Sequence, residues 1–281
     1  MNLKSKLTSD SSLSNATAIL IALGLSGGMA FAAATANDTA SNYSGGGWGV
    51  TPSNDGSGFG AWNVTLANAN NPPYVGTYLD TSSTVASGGY SWGTYANNAT
   101  TVQGSITMAR PFTTGASGSS SLYNQTFSYD LSSGGVGPGQ GLLSAAVGTA
   151  FSFAYDGTLA GDNMLLSVDG GSAITTPVNF AELGSGLLVS LTVSGAVNSP
   201  TEGYTFTVSP FAGGSPLYTT SGTFDSSAFN TSAFTYVDSN TTGNGYFNGL
   251  NITPEATPEP STMALAGLSG AAMLFGFRRR K

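Results

Sequence analysis

Leu187-Leu188-Val189-Ser190-Leu191-Thr192-Val193 and Tyr204-Thr205-Phe206-Thr207-Val208 are the stretches that decide the fold. Leu187, Val189, Leu191 and Val193 recur at every second residue, as do Tyr204, Phe206 and Val208, so each stretch has one apolar face only if the chain is extended. Asn198-Ser199-Pro200 separates the two, and Gly213-Gly214-Ser215-Pro216 leads into a third stretch, Leu217 to Phe224. Turn-forming residues at both corners make this a three-stranded meander. The same period appears earlier, in Trp62, Val64 and Leu66, in Phe127, Tyr129 and Leu131, and in Phe151, Phe153 and Tyr155. No ten-residue segment between Asn37 and Pro254 combines helical periodicity with caps. About a dozen short strands joined by Gly-rich turns predict an all-β fold, a two-sheet sandwich of the jelly-roll kind.

Composition narrows the function. The chain has 281 residues with 40 Gly, no Cys and no His, and only 7 Lys+Arg against 14 Asp+Glu. Lys4 and Lys6 open it and Arg278, Arg279, Arg280 and Lys281 close it, which leaves Arg110 as the one basic residue in between. Twelve acids lie between Asn37 and Thr257, so that stretch carries a formal charge of −11. Such a surface repels phosphate backbones and anionic headgroups, which excludes nucleic acid as a partner and points to neutral or cationic ones. Without Cys and His there is no structural zinc, haem, iron–sulfur cluster, Ser-His-Asp or Cys-His machinery, and no cofactor is called for. The 221 residues from Asn37 to Thr257 are enough to bury a core without disulfides.

The two ends are built differently from the middle. Lys4 and Lys6 precede the apolar run Ala16 to Leu25, followed by the small residues Ala32-Ala33-Ala34-Thr35-Ala36. That order is a secretory signal peptide, residues 1–36, with Ala34 and Ala36 as the cleavage determinants. At the other end, Pro254-Glu255-Ala256-Thr257-Pro258-Glu259-Pro260 leads into Ser261 to Phe277, seventeen residues without a charge, and then into Arg278-Arg279-Arg280-Lys281. As a helix rising ~1.5 Å per residue this run reaches about 25 Å, marginal for a hydrocarbon core of about 30 Å. It is expected to form a single transmembrane helix, its basic end held in the cytoplasm and everything before Pro260 outside.

Pro258-Glu259-Pro260, the apolar run and the Arg cluster together resemble the PEP-CTERM sorting signal of Gram-negative bacteria that make exopolysaccharide. The resemblance implies recognition and processing of residues 258–281 at the inner membrane by an exosortase-type enzyme, then transfer to the cell surface or extracellular matrix. The ectodomain, residues 37–257, is similar in patches to concanavalin-A-type or carbohydrate-module sandwiches. The patches are Tyr90-Ser91-Trp92-Gly93, Ala109-Arg110-Pro111-Phe112, Thr126-Phe127-Ser128-Tyr129-Asp130 and Gly245-Tyr246-Phe247-Asn248-Gly249-Leu250-Asn251-Ile252. Asn37 to Gly47 and Pro254 to Thr257 read as flexible flanks.

Nine of the 30 aromatics fall between Tyr43 and Tyr95, and exposed rings there would stack on the apolar faces of sugars. Trp62 and Trp92 sit on apolar strand faces and are expected in the core. Trp48, Tyr74 and Tyr78 lie beside Gly, Pro and Asn and are the glycan-binding candidates. Asp238-Ser239-Asn240-Thr241-Thr242-Gly243 begins like a calcium loop, but Gly249 stands where that loop needs its bidentate Glu, and it reads as a turn. Asp156, Asp162 and Asn163 likewise read as turn residues rather than a metal site. The acids follow or precede Gly in turns or, like Glu182 and Glu202, lie near strand starts, so no glycosidase pair is evident. Arg110 is expected to pair with a carboxylate at a sheet edge.

The sequence therefore predicts an exported surface or matrix protein with a structural or interaction role, polysaccharide as candidate ligand and no enzymatic activity. The alternative is a polysaccharide-cleaving enzyme, a glycosidase or lyase, on the same sandwich.

Overall fold

A computed structural model describes residues 36–68, 74–97, 104–112, 125–137, 140–159, 161–194, 201–225, 233–239 and 243–254. All belong to one compact unit, Ala32–Glu255. Residues 1–35 of the expected signal peptide, and Pro258, Glu259, Pro260, the apolar run and the terminal basic cluster, lie outside the described residues.

Among the described residues, fifteen antiparallel strands make two sheets. The first runs in the order β13 (Tyr218–Asp225), β12 (Thr201–Pro210), β11 (Leu187–Ser194), β6 (Gln125–Gly134), β15 (Asn244–Pro254), β4 (Ser91–Ala96) and β3 (Val75–Asp80), with β1 (Ala36–Asp38) also pairing to β15. The second runs β10 (Ile174–Asn179), β9 (Asn163–Val168), β8 (Phe151–Asp156), β7 (Leu142–Val147), β14 (Ala233–Ser239), β5 (Ser105–Pro111) and β2 (Asn63–Ala67). The alternation read from sequence is the inward face of these strands: Phe127 and Leu131 of β6, Val189 of β11 and Phe153 and Tyr155 of β8 are all buried. Rings meet across the two layers, Tyr236 stacking on Phe247 at 4.4 Å and Phe153 packing at a tilt against Phe206 at 5.4 Å between centroids. Burying rings of this size contributes roughly 1.5–3 kcal/mol each, the main stabilising term of the sandwich. The β11–β12–β13 meander is present: β12 pairs antiparallel with β11 on one side and β13 on the other, and the Gly213-Gly214-Ser215-Pro216 corner falls between β12 and β13; Asn198-Ser199-Pro200 lie outside the described residues.

The last two strands are central to the two sheets. β14 lies between β7 and β5, and β15 pairs with β6 along most of its length. On its other side β15 takes β4 at Asn244–Phe247 and β1 at Leu250–Ile252. A bulge between Asn248 and Asn251 holds the register, with Gly249 at φ +60°. The extra residue shifts the alternation by one, so that Phe247, Leu250 and Ile252 all face the core.

Two expectations are corrected. Asn37 to Gly47 is not a flexible flank: β1 pairs Ala36 with Ile252, and the 3₁₀ turn Ala40–Tyr43 follows with Tyr43 fully buried. Glu182 precedes β11, but from within a helix rather than a turn. It sits in α1 (Phe180–Ser185), where Asn179 accepts from the Ala181 and Glu182 amides and Glu182 Oε2 accepts from the Asn179 amide, a capping box.

Candidate functional site

The network around Arg110 fixes the charge of the surface. Arg110 lies on β5, which is paired on both sides, so it is interior to its sheet rather than at an edge. Its guanidinium is 3.1 Å from Asp38 Oδ2, both side chains have 0% exposure, and it also donates to Asn54 Oδ1 and the Asp55 carbonyl. The Trp62 and Phe59 rings lie 5.2 and 5.6 Å from it. Tyr43 donates its hydroxyl proton to Asp38 or the Asp55 carbonyl and accepts from Trp62 Nε1 at 2.9 Å. Burial raises the Asp38 carboxyl above its ordinary range, although the Asn42 amide, the Arg110 charge and the Tyr43 hydroxyl all favour its ionised form. Since Arg110 is the sole cation between Asn37 and Thr257 and is buried, the outer surface of that stretch is acidic with no exposed cation.

The three glycan candidates separate. Trp48 turns inward: its Nε1 donates to Thr77 Oγ1 at 2.9 Å, and its ring packs 5.2 Å from Tyr43 and 5.5 Å from both Trp62 and Trp92. Trp62 and Trp92 are in the core, as their strand faces suggest. Thr77 and Tyr78 are neighbours on β3 and point to opposite faces, so Trp48 and Tyr78 are on opposite sides of the first sheet. Tyr78 is half-buried on the outer face. Tyr74, one residue before β3, is 63% exposed.

Sequence reasoning missed the company Tyr78 keeps. Registration puts Tyr78 and Tyr246 on either side of Gly93, with their hydroxyls 3.3 Å apart, and Tyr95 of β4 opposite Gly76. Burial first, and then the hydrogen bond and charge of Tyr246, push the Tyr78 phenol well above its ordinary range, so it stays a neutral donor. The pairing of each Tyr with a Gly on the next strand is a signal, but only once the register is known.

Asp238 is buried and accepts from Thr94 Oγ1 at 2.8 Å, so it is turned inward. Asn240 to Thr242 lie outside the described residues. Asp156 accepts from the amide and hydroxyl of Thr158, a turn, and Asn163 donates to the Thr176 carbonyl. Among the described residues no group of three or more acids is placed to hold a metal ion. Asp130 is pushed up to about 7 by burial alone, with no second carboxylate contributing.

These features define the chain as an all-β sandwich protein with an acidic surface. Its residues 256–281 match the PEP-CTERM protein-sorting motif, so the chain carries that sorting signal at its C-terminal end. No curated protein sequence matches it. Among solved structures it is similar to a Bauhinia forficata lectin in complex with GalNAc, at 12% identity over 69% of this chain and 93% of that one, with a TM-score of 0.39. The metal-free lectin I-B4 of Griffonia simplicifolia gives 11% identity over 69% and 93%, with a TM-score of 0.33. A botulinum neurotoxin type C structure, solved in work on its interaction with two ganglioside molecules, gives 7% identity and a TM-score of 0.40; the match spans 74% of this chain and 46% of that one. No helix among the described residues is long and apolar enough to cross a membrane.

Proposed function

We propose that the protein is exported, sorted through its C-terminal PEP segment and held at the cell surface or in the extracellular matrix, where its ectodomain binds neutral polysaccharide. The match of residues 256–281 to the sorting motif carries the first part. On this reading the signal peptide ends after Ala36, Pro258-Glu259-Pro260 is read by an exosortase-type enzyme, and the apolar run with Arg278 to Lys281 is the inner-membrane intermediate. The ligand reading rests on the acidic, cation-free surface, which suits an uncharged polymer, and on the exposed Tyr74 ring. A binding role is favoured over cleavage because Asp130, whose carboxyl is pushed up to about 7, owes its shift to burial and not to a partner acid. Replacing Pro258-Glu259-Pro260 with three alanines tests the sorting step: cell fractionation should find the variant in the inner membrane, whereas unchanged surface delivery would reduce the tail to a plain anchor.

A further inference from the structure

Tyr78 and Tyr246 form a floor and a wall on the outer face of the first sheet. The Tyr78 ring lies across the backbone of Gly93, where an added Cβ would come 2.7, 2.9 and 2.9 Å from Cζ, Cε1 and Cε2. Only glycine there lets the ring lie flat on the sheet. Tyr246 stands beside it, with ring centroids 6.4 Å apart and planes at 80°. Asn244 Nδ2 donates to the Tyr246 hydroxyl at 3.4 Å, placing an amide at the foot of the wall. Tyr95 comes next along the strand direction, 6.1 Å from Tyr78, and lies over Gly76 in the same manner. Tyr74 continues the alternation of β3 beyond Gly76 and is exposed. At ~3.3 Å per residue the four steps from Tyr74 to Tyr78 extend the file to about 13 Å, longer than one sugar ring.

We propose that this file, Tyr74, Tyr95, Tyr78 and Tyr246, is the glycan-contact surface, and that its ligand is a neutral polysaccharide chain lying along β3. The proposal rests on the polysaccharide-binding reading above and gives it a place. Outward ring faces stack on the apolar faces of pyranose rings, while the phenols and the Asn244 amide bond their hydroxyls. Charge selects among glycans: uronate or sulfated chains would meet, between Asn37 and Thr257, a formal charge of −11 with that stretch's single Arg buried against Asp38. Trp48 is outside this surface because it packs inward.

The test is native affinity electrophoresis of the full chain in detergent, in gels containing hydroxyethyl cellulose, dextran, the producer's own neutral polysaccharide or alginate. The wild type should be retarded by at least one neutral polymer, equally at low and raised salt, and not by alginate. Tyr78→Ala and Tyr246→Ala should weaken that retardation about tenfold or more, as loss of a central aromatic contact does. Tyr74→Ala is the variant at an exposed position that leaves the core untouched, so its weaker binding separates a contact effect from misfolding. Leu188→Ser, at a residue 40% exposed on β11, should bind as the wild type. A wild type retarded by a neutral polymer while all three Tyr variants are retarded equally overturns the site and leaves the binding reading standing. Retardation by no neutral polymer, or preference for alginate, overturns the binding reading itself.

Discussion

The Arg110 guanidinium and the Asp38 carboxylate, 3.1 Å apart with neither side chain exposed, join the first strand of the sandwich to the interior of the opposite sheet. Removing one partner of a buried pair leaves the other charge without compensation, at about 3–5 kcal/mol. Arg110→Met should lose stability of that order at neutral pH. The loss should shrink toward pH 4, because Asp38, already raised by burial, then protonates and no charge is stranded. Urea denaturation of wild type and variant at pH 7 and pH 4 measures both.

Asp130 gives a second pH effect of known sign. Its folded-state value of about 7 lies above the ordinary 3.8, so the folded protein binds the proton more tightly than the unfolded chain. The stability it provides is full below pH 4 and is lost as pH rises through 7, by up to about 4 kcal/mol for a shift of this size. Asp130→Asn should flatten the fall in melting temperature between pH 4 and pH 7. An unchanged slope would mean that another group sets it.

Trp92 is fully buried against Phe247 at 5.0 Å and Trp62 at 5.2 Å between centroids. Trp92→Ala should cost about 3–5 kcal/mol of folding stability through the cavity it leaves. Tyr74→Ala, at an exposed ring, should change the denaturation midpoint little. Equal midpoints for Trp92→Ala and wild type would remove Trp92 from the core.

Deleting Gly249 should be more damaging than any single side-chain change in β15. Without the extra residue, the alternation after Asn248 reverses and Leu250 and Ile252 turn away from the core. Expression of the deletion variant should give insoluble or protease-sensitive chain, and a soluble protein with wild-type melting would contradict the register described for β15.

How far the sequence reached depended on how local each signal was. The meander of Leu187 to Phe224 was legible because its alternation and its turn residues are contiguous. Residues 36–43 were not, since Ala36, Asp38 and Tyr43 owe their burial to Ile252, Arg110 and Trp62, distant partners that no short window contains. α1 is only six residues long, too short to show a helical period, although Asn179 and Glu182 carry its capping signature. The Gly249 bulge was hidden because Phe247, Leu250 and Ile252 break strict alternation without saying which way. Of the glycan candidates, Tyr74 and Tyr78 stand on the outer face with partners, Tyr95 and Tyr246, that only the strand register reveals. Trp48 lies in a loop, as its neighbours suggest, but those Gly neighbours gave no hint that its ring packs inward against Thr77.

On the proposed reading the chain leaves the cell and is processed at both ends: cleavage after Ala36 would remove one buried residue of β1, paired with Ile252, and keep Asp38 for Arg110, while Glu255, Ala256 and Thr257 separate β15 from Pro258. Terminal peptide mapping by mass spectrometry of protein recovered from the cell surface tests this most directly. The expected result is a mature N-terminus at Asn37 and a C-terminus that has lost Arg278-Arg279-Arg280-Lys281. Surface protein that still carries Met1 to Lys6 and the terminal basic cluster would contradict it.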